Sequence, residues 1–511
     1  MSGALASNAV VAVIGAGAMG AGIAQIAAQH GHRVLLFDTR MGAADDAKKQ
    51  IADTLAKLAA KGKIEPTDAD AASTRLVPVH ALGDMVSAKL VVEAIVEDLE
   101  AKRKLVRELE VVVAPDSIIA SNTSSISITS IAAGMKHQGR IVGMHFFNPA
   151  PILPLVEVVS GLATDKAVAD VVYATAEAWG KVAVHAASTP GFIVNRCARP
   201  FYGEALRLLV ERAASPATLD AVMREAGGFR MGPFELMDLI GLDVNFAVTR
   251  SVWEAYFNDP RYAPSILQQE LVAAGFLGRK SGQGYFRYGP GAEKPMPATE
   301  AEQPRPGKVR AAGDGPLIAA LCDRLAASGF EIAHVPANAA LAPCYFVVDG
   351  AILVPSDGRT ATAVAVAGGE RNVVAFDLAL DYRTCTRLAV ARADTCADGA
   401  YGAAVGALQA AGIAVSRLDD VAGLAVMRTV AMLANEAADA VTQGIASARD
   451  VDLAMRNGVN YPRGPLAWAD AIGPAHVTAV LRNLQAHYGE PRYRTSPLLA
   501  RRCATGSPLT E

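Results

Sequence analysis

The chain opens with an apolar run, Ala9 to Ile14, followed at once by Gly15-Ala16-Gly17-Ala18-Met19-Gly20 and an alanine-rich helical pattern to His30. That pattern predicts a strand, a tight turn and a helix. A second strand, Arg33 to Phe37, ends in Asp38, and a helix from about Gly42 to Lys61 follows. Leu90 to Glu97 reads as a further strand with its exit loop, Leu99 to Val113 as a helix, and Ser117 to Ala120 as a short strand running into Ser121-Asn122-Thr123-Ser124-Ser125. Arg140 to Met144 predicts a buried strand with His145 at its C-terminal end, and three prolines then turn the chain back into Leu155-Val156-Glu157-Val158-Val159. A helix from Asp165 to Trp179 and a strand from Val182 to His185 complete the alternation, which is that of an α/β sheet. Thr189-Pro190-Gly191 then supplies an N-cap and a proline for a first helical position. From there to about Arg287 the pattern is helical throughout, as in a separate all-α domain, and Tyr288 to Gly307, with five prolines, reads as a linker.

Beyond that linker the helical pattern returns. Glu204, Asp220, Met223, Gly232-Pro233, Asp238 and Gly241 recur 232 residues further on as Glu436, Asp452, Met455, Gly464-Pro465, Asp470 and Gly473. So many identities at one offset mark a duplication. The expected division is therefore an α/β domain over 8–187, a first helical domain over 188–287, a linker over 288–307, a shortened relic of a nucleotide-binding domain over 308–420, and a second, structural helical domain over 421–505. In the relic, Gly313-Asp314-Gly315 stands where a glycine turn would be, but Ile318 occupies the third glycine position.

Composition narrows the function classes. The 511 residues are 51% hydrophobic and 19% charged, enough apolar content to fold in several domains. A net charge of -3 offers no basic footprint for nucleic acid or membrane headgroups. The six cysteines show no C-x-x-C spacing, which argues against a disulfide framework or zinc site and for a reducing, cytoplasmic compartment. A secretory leader is not expected, because the N-terminus lacks a charged n-region, and no apolar run reaches membrane-spanning length.

The candidate chemistry lies in the first domain. Gly15, Gly17 and Gly20 permit a tight turn, close approach of a pyrophosphate and packing of helix on strand, while the helix N-terminus offers free N–H groups to an anion. Asp38 falls where such folds hydrogen-bond ribose hydroxyls, which favours NAD over NADP, with Arg40 as the dissenting neighbour. Glu157 is a carboxylate among aliphatics and needs a partner; His145, twelve residues upstream, is the nearest. Together they would form a base with its tautomer fixed, though a surface histidine and an edge-strand glutamate give the same pattern. Thr54, Lys57 and Lys61 share a helix face that reads either as a solvated surface or as a phosphate-binding one. The Ser121 to Ser125 loop reads either as hydrogen-bond donors for a substrate oxygen or as turn and capping residues. In the second copy His145 maps to Asp377, Glu157 to Ala389 and Asn195 to Met427, which leaves one active site per chain.

Taken together, Gly15 to Gly20, Val92-Glu93-Ala94-Ile95-Val96-Glu97, Ser121 to Ser125, His145 to Pro149, Thr189 to Arg196 and Gly278-Arg279-Lys280 resemble the 3-hydroxyacyl-CoA dehydrogenases, continuously over residues 8 to 288. The second half resembles the same family's C-terminal domain in Ala434-Asn435-Glu436 and Asn460 to Leu466. Tandem helical domains are similar to the long bacterial forms, especially those acting on 3-hydroxyadipyl-CoA in phenylacetate breakdown. The resemblance implies a Rossmann-type NAD-binding domain followed by all-α C-terminal domains in tandem, and NAD-dependent oxidation of a 3-hydroxyacyl-CoA. It implies His145 as base, Glu157 as its orienting carboxylate, and Ser124 and Asn195 as holders of the C3 oxygen and the thioester carbonyl. Gly15, Gly17, Ala18, Met19, Gly20, Asp38, Glu97, Lys102 and Lys280 match cofactor-contacting positions; Thr54, Lys61 and Ser124 match coenzyme A positions, which turns the lysine face towards the phosphate-binding reading. No metal is called for. An acyl-CoA is the expected small-molecule partner, with a homo-oligomer open and the second helical domain serving as an intramolecular pseudo-dimer partner. Two other readings compete: a 3-hydroxybutyryl-CoA dehydrogenase of short-chain metabolism, and a relative that only binds or supports. A 2-hydroxyacid or phosphogluconate-type dehydrogenase shares the glycine turn, but those enzymes place a lysine at the base position.

Overall fold

A computed structural model describes residues 3–511 and resolves them into two compact units. The first comprises the chain up to residue 196 together with 443–459; the second comprises 197–442 and 460–511.

The first unit is built on eight strands: β1 (Val10–Ile14), β2 (Val34–Phe37), β3 (Leu76–Pro78), β4 (Ala88–Glu93), β5 (Ile118–Ser121), β6 (Ile141–Phe146), β7 (Leu155–Ser160) and β8 (Val182–Ala187). Their order is β3-β2-β1-β4-β5-β6-β7-β8, parallel except for the antiparallel pair β6–β7. Continuous Val, Ile and Leu runs make the inner strands, because helices cover both faces and neither face alternates. The strand order reverses between β1 and β4, and open α/β sheets bind ligands at the carboxyl ends of strands at such a point. The antiparallel β6–β7 pair sets His145 directly across from Glu157. The helix Ala448–Gly458, contributed by the second helical copy, packs on β7 and β8. The contact at Gly458 is close: a Cβ there would come within 2.6 Å of Leu155 Cδ2, so that side chain would have to shift.

The helix expected from Pro190 begins instead at Val194. Gly191 and Phe192 both carry positive φ, which a continuous right-handed helix does not allow, so Thr189-Pro190-Gly191 is a turn rather than a cap.

In the second unit the first helical copy comprises Arg199–Val210, Pro216–Glu225, Pro233–Ile240, Leu242–Ala255 and Ile266–Ala273. Val426–Thr442, Pro465–Ile472, Pro474–Tyr488 and Pro497–Thr505 belong to the second copy. The long first helices of the two copies pack on each other, and the ion pairs across them are reciprocal. Arg261 reaches Glu436 at 3.2 Å and also Asp439, while Tyr262 Oη donates to Glu436. In return Arg492 lies 3.5 Å from Glu204, and Tyr493 Oη donates to Glu204. Arg428 closes the arrangement on Glu204 and Glu211.

Between the copies lies a seven-stranded sheet: β9 (Val309–Ala312), β10 (Ile332–Val335), β11 (Tyr345–Val348), β12 (Ala351–Pro355), β13 (Val373–Phe376), β14 (Arg387–Arg392) and β15 (Ala414–Arg417), in the order β10-β9-β11-β12-β13-β14-β15. The succession β12 to β15, parallel, antiparallel, parallel, repeats that of β5 to β8. Strand, Gly313 turn and the helix Pro316–Ala327 survive at the other end, but β9 is flanked by the antiparallel β11, joined to β12 through a tight Asp349-Gly350 turn. Two parallel strand ends diverging around a crevice are therefore missing from this sheet. The proline-rich stretch 288–307 forms no regular element but is pinned: Ala298 N–H donates to Thr218, Glu300 N–H to Val415 O and Gln303 N–H to Gln409. Among the described residues no helix is long and apolar enough to cross a membrane.

Candidate active site

At the carboxyl end of β1, Gly15 has φ +98° and packs against the Ala94 carbonyl, so a side chain there meets both a strained backbone and a clash. Gly20 packs as closely on Gly15. Gly17 differs: a Cβ there would meet nothing within 4 Å, and the helix it opens, Ala18–Gln29, has no side-chain cap and no acidic residue in its first turn. Free N–H groups facing open space are what a pyrophosphate requires, so this end of the sheet fits a dinucleotide. Asp38, at the end of β2, accepts the Ala16 N–H at 2.8 Å and pairs with Arg40. Partial burial works against its charge, but the Ala16 N–H and Arg40 hold its carboxyl below the ordinary range. Arg40 is thus engaged with the very carboxylate it was expected to offset.

At the end of β4 the charges form a chain that runs from the buried Glu93 and Lys102 out to the half-exposed Glu97. Glu93 is fully buried and holds Lys102 Nζ at 2.9 Å, the Ile95 N–H and the Ser121 hydroxyl. Lys102, itself 1% exposed, also lies 3.4 Å from Glu97. Glu97 Oε1 in turn receives Thr123 Oγ1 at 2.7 Å and the backbone N–H groups of Ser124 and Ser125. Burial would raise the Glu97 carboxyl, but the Thr123 hydroxyl, Lys102 and the Ser124 N–H outweigh it and hold it below its ordinary value. Glu97 thus fixes the serine loop and holds Ser124 in place, with the Ser124 hydroxyl 3.3 Å from the same oxygen.

His145 is 5% exposed, and its Nδ1 lies 2.7 Å from Glu157 Oε2. A carboxylate only accepts, so Nδ1 carries a proton, and in the neutral imidazole Nε2 is then the accepting nitrogen. Glu157, with no exposed surface, gives its other oxygen to Ile193 and Val194 N–H at 3.0 and 2.9 Å, the first turn ahead of Asn195. Asn195 Nδ2 approaches the Ser124 carbonyl at 3.5 Å. Phe147 and Phe192 pack on the imidazole with ring centroids 4.5 and 5.7 Å away. Asn122 Oδ1 accepts the Phe146 N–H and ties the serine loop to the strand carrying His145. Ser124, His145, Glu157 and Asn195 are thus linked through Glu157 and the serine loop into one network.

In the second copy Asp377 stands at the His145 position, and its carboxylate accepts the N–H groups of Ala425, Val426 and Met427. Ala425 and Val426 are the counterparts of Ile193 and Val194, which Glu157 serves in the first copy. The helix-anchoring function of the carboxylate has been kept, one strand away, while the imidazole has gone. Burial pushes Asp377 up to about 6 against those N–H groups.

Thr54 and Lys61 lie exposed on the same face of the helix Ala43–Ala60 and its cap, with Lys57 between them. Lys280, in the second unit, is about half exposed and pairs with Asp243 at 2.6 Å. Sequence reasoning passed over Glu93 and Asn122. A carboxylate closing the apolar run Leu90-Val91-Val92 was the signal for Glu93, of the same kind that exposed Glu157.

Comparison with known proteins agrees with this geometry. Residues 10–189 match the 3-hydroxyacyl-CoA dehydrogenase NAD binding domain, 191–288 and 423–509 the family's C-terminal domain, and 353–421 the 3-hydroxybutyryl-CoA dehydrogenase reduced Rossmann-fold domain. The chain is 42% identical to the 3-hydroxyadipyl-CoA dehydrogenase of Escherichia coli K12 over 96% of its own length and 97% of that protein's. It is 40% identical to the human mitochondrial hydroxyacyl-coenzyme A dehydrogenase over 54% of its length and 90% of the relative's. Among solved structures, a 3-hydroxybutyryl-CoA dehydrogenase from Escherichia coli K12 superposes with a TM-score of 0.88 at 42% identity, covering 98% of each chain. The glycine turn, the buried His145–Glu157 pair and these full-length matches lead to one assignment: the chain belongs to the 3-hydroxyacyl-CoA dehydrogenase family and is an NAD-dependent oxidoreductase.

Proposed function

We propose that the chain oxidises an (S)-3-hydroxyacyl-CoA to the 3-oxoacyl-CoA at the His145 centre, with 3-hydroxyadipyl-CoA as the physiological substrate. The observation that carries the reaction is the buried His145 Nδ1 to Glu157 Oε2 contact, which leaves Nε2 as the accepting nitrogen. His145 takes the proton of the C3 hydroxyl, and Glu157 stabilises the imidazolium that forms. Bound NAD supplies the hydride acceptor for C3. Ser124 and Asn195 hold the C3 oxygen and the thioester carbonyl, where negative charge develops in the reverse, ketone-reducing direction. Gly15, Gly17, Ala18, Met19, Gly20, Asp38 and Glu97 hold the cofactor. Lys102 is too buried to do more than set Glu97, and Lys280 is assigned to the cofactor by its family motif. Thr54, Lys61 and Ser124 receive coenzyme A.

The adipyl assignment is supported by the match over nearly the whole chain, both helical copies included, to an enzyme named for that substrate. A second reading, 3-hydroxybutyryl-CoA, is supported by the name of the superposed structure. A panel of 3-hydroxybutyryl, 3-hydroxyadipyl and longer CoA esters tests both, and a higher kcat/KM for the butyryl ester overturns the adipyl reading. We place the protein in the cytoplasm, as six cysteines with no C-x-x-C spacing favour.

The domain reading is 8–187 for the cofactor, 188–287 for the catalytic helical domain, 288–307 as connector, 308–420 as relic and 421–505 as a built-in partner. The reciprocal pairs Arg261–Glu436 and Arg492–Glu204 support that last role, because an isologous dimer contact has this form.

A further inference from the structure

The cluster Glu93–Lys102–Glu97 has no part in the proton transfer, yet it stands at the strand-order reversal. Glu93 ends β4 directly beside Ile14, the last residue of β1, and the Ala94 N–H donates to the Ile14 carbonyl. A dinucleotide whose pyrophosphate lies at Gly17 and whose adenosine ribose lies at Asp38, on the β2 side, has its other half over β4 to β6. Glu97, the Ser124 loop and His145 are on that side. The cluster holds two carboxylates around one ammonium, so it contributes a net charge of one unit. Its inner members are buried, where a charge is poorly screened.

We propose that Glu93 is a positioning residue that, through Lys102 and Glu97, keeps a net negative charge beneath the nicotinamide position and so favours the cationic ring of NAD+ over the neutral ring of NADH. Without Glu93 the ammonium balances Glu97 and the net charge disappears. The two cofactor forms share adenosine, riboses and pyrophosphate, so those contributions cancel in the ratio of their affinities. What remains is the charge on the ring. The inference rests on NAD binding and is independent of which acyl chain is turned over.

The test is titration of the full-length protein with NAD+ by calorimetry and with NADH by fluorescence, in the absence of acyl-CoA. Glu93→Gln keeps the shape and removes the charge. It is expected to raise Kd(NAD+)/Kd(NADH) by about three- to tenfold, chiefly by weakening NAD+. Ser121→Ala removes a hydrogen bond from Glu93 but no charge, and leaves the ratio unchanged. Equal shifts of both affinities in Glu93→Gln, or no shift, overturn the proposal, as does a Ser121→Ala ratio that moves as far. If Glu93→Gln does not fold, Glu97→Gln takes its place: it removes a half-exposed carboxylate of the same cluster and must move the ratio in the same direction, and an unchanged ratio overturns the proposal.

Discussion

His145 and Glu157 face each other across the antiparallel β6–β7 pair, and the carboxylate that holds His145 Nδ1 with one oxygen holds the Ile193 and Val194 N–H groups with the other. One buried side chain thereby fixes both the base and the turn leading to Asn195. His145→Gln should lower kcat by about 10² or more, the loss of a general base, with little change in NADH binding. Stopped-flow turnover with acetoacetyl-CoA, set beside an NADH titration, checks it. Near-normal turnover removes His145 from its role.

The double duty of Glu157 separates two substitutions. Glu157→Gln keeps an oxygen for the Ile193 and Val194 N–H groups and should fold, with kcat reduced because the imidazolium loses its countercharge. Glu157→Ala also strands those two buried donors, at about 1–3 kcal/mol each. Thermal denaturation should therefore rank the alanine variant well below the glutamine one, while both lose turnover. Equal melting temperatures would deny the carboxylate its anchoring role.

Glu97 gives a pH dependence. Its folded carboxyl is held below its ordinary value of 4.5 by Thr123, Lys102 and the Ser124 N–H, in excess of the opposing effect of burial. A depressed carboxyl stabilises the fold above its unfolded pKa, and that contribution is lost as pH falls through the folded value. Glu97→Gln should accordingly flatten the stability profile below pH 4.5 and lower stability near neutrality. Urea unfolding at several pH values reads this out, and an unchanged acid limb contradicts it.

The sequence carried the glycine turn, the strands β1, β2, β4, β5 and β6 and the duplication because each rests on local pattern or on identity at one offset, whereas the three-residue edge strand β3 is too short to leave such a pattern. Glu157 was legible as a carboxylate among aliphatics that had to have a partner. The start of the helix bearing Asn195 was misread, since positive φ at Phe192 is paid for by Glu157, thirty-five residues away in the chain. Thr189-Pro190 therefore looked like a cap that the tertiary structure did not need. Lys102 was read as a cofactor-contacting position; that Glu93 holds its ammonium depends on β4 and the helix Leu99–Val112 meeting in three dimensions.

The built-in-partner reading predicts that the second helical copy is indispensable. Arg428 is fully buried against Glu204 and Glu211, so Arg428→Met leaves carboxylates uncompensated and should cost about 3–5 kcal/mol. Deleting 421–511 removes Arg428 and Arg492 together and should yield insoluble or self-associating protein by size-exclusion chromatography. A soluble, active truncation of unchanged oligomeric state counts against the reading.

Asp377 offers the complementary case, an anchor without a base. Its carboxylate serves three N–H groups at the start of the helix Val426–Thr442 and is buried completely. Asp377→Ala leaves those donors without an acceptor and should destabilise the protein by about 3 kcal/mol or more. Because no imidazole is attached to it, turnover per folded molecule should stay unchanged, measured well below the lowered melting temperature. Parallel loss of kcat and stability would mean that the second copy takes part in catalysis; loss of stability with intact kcat places the chemistry in the first copy, where His145 remains.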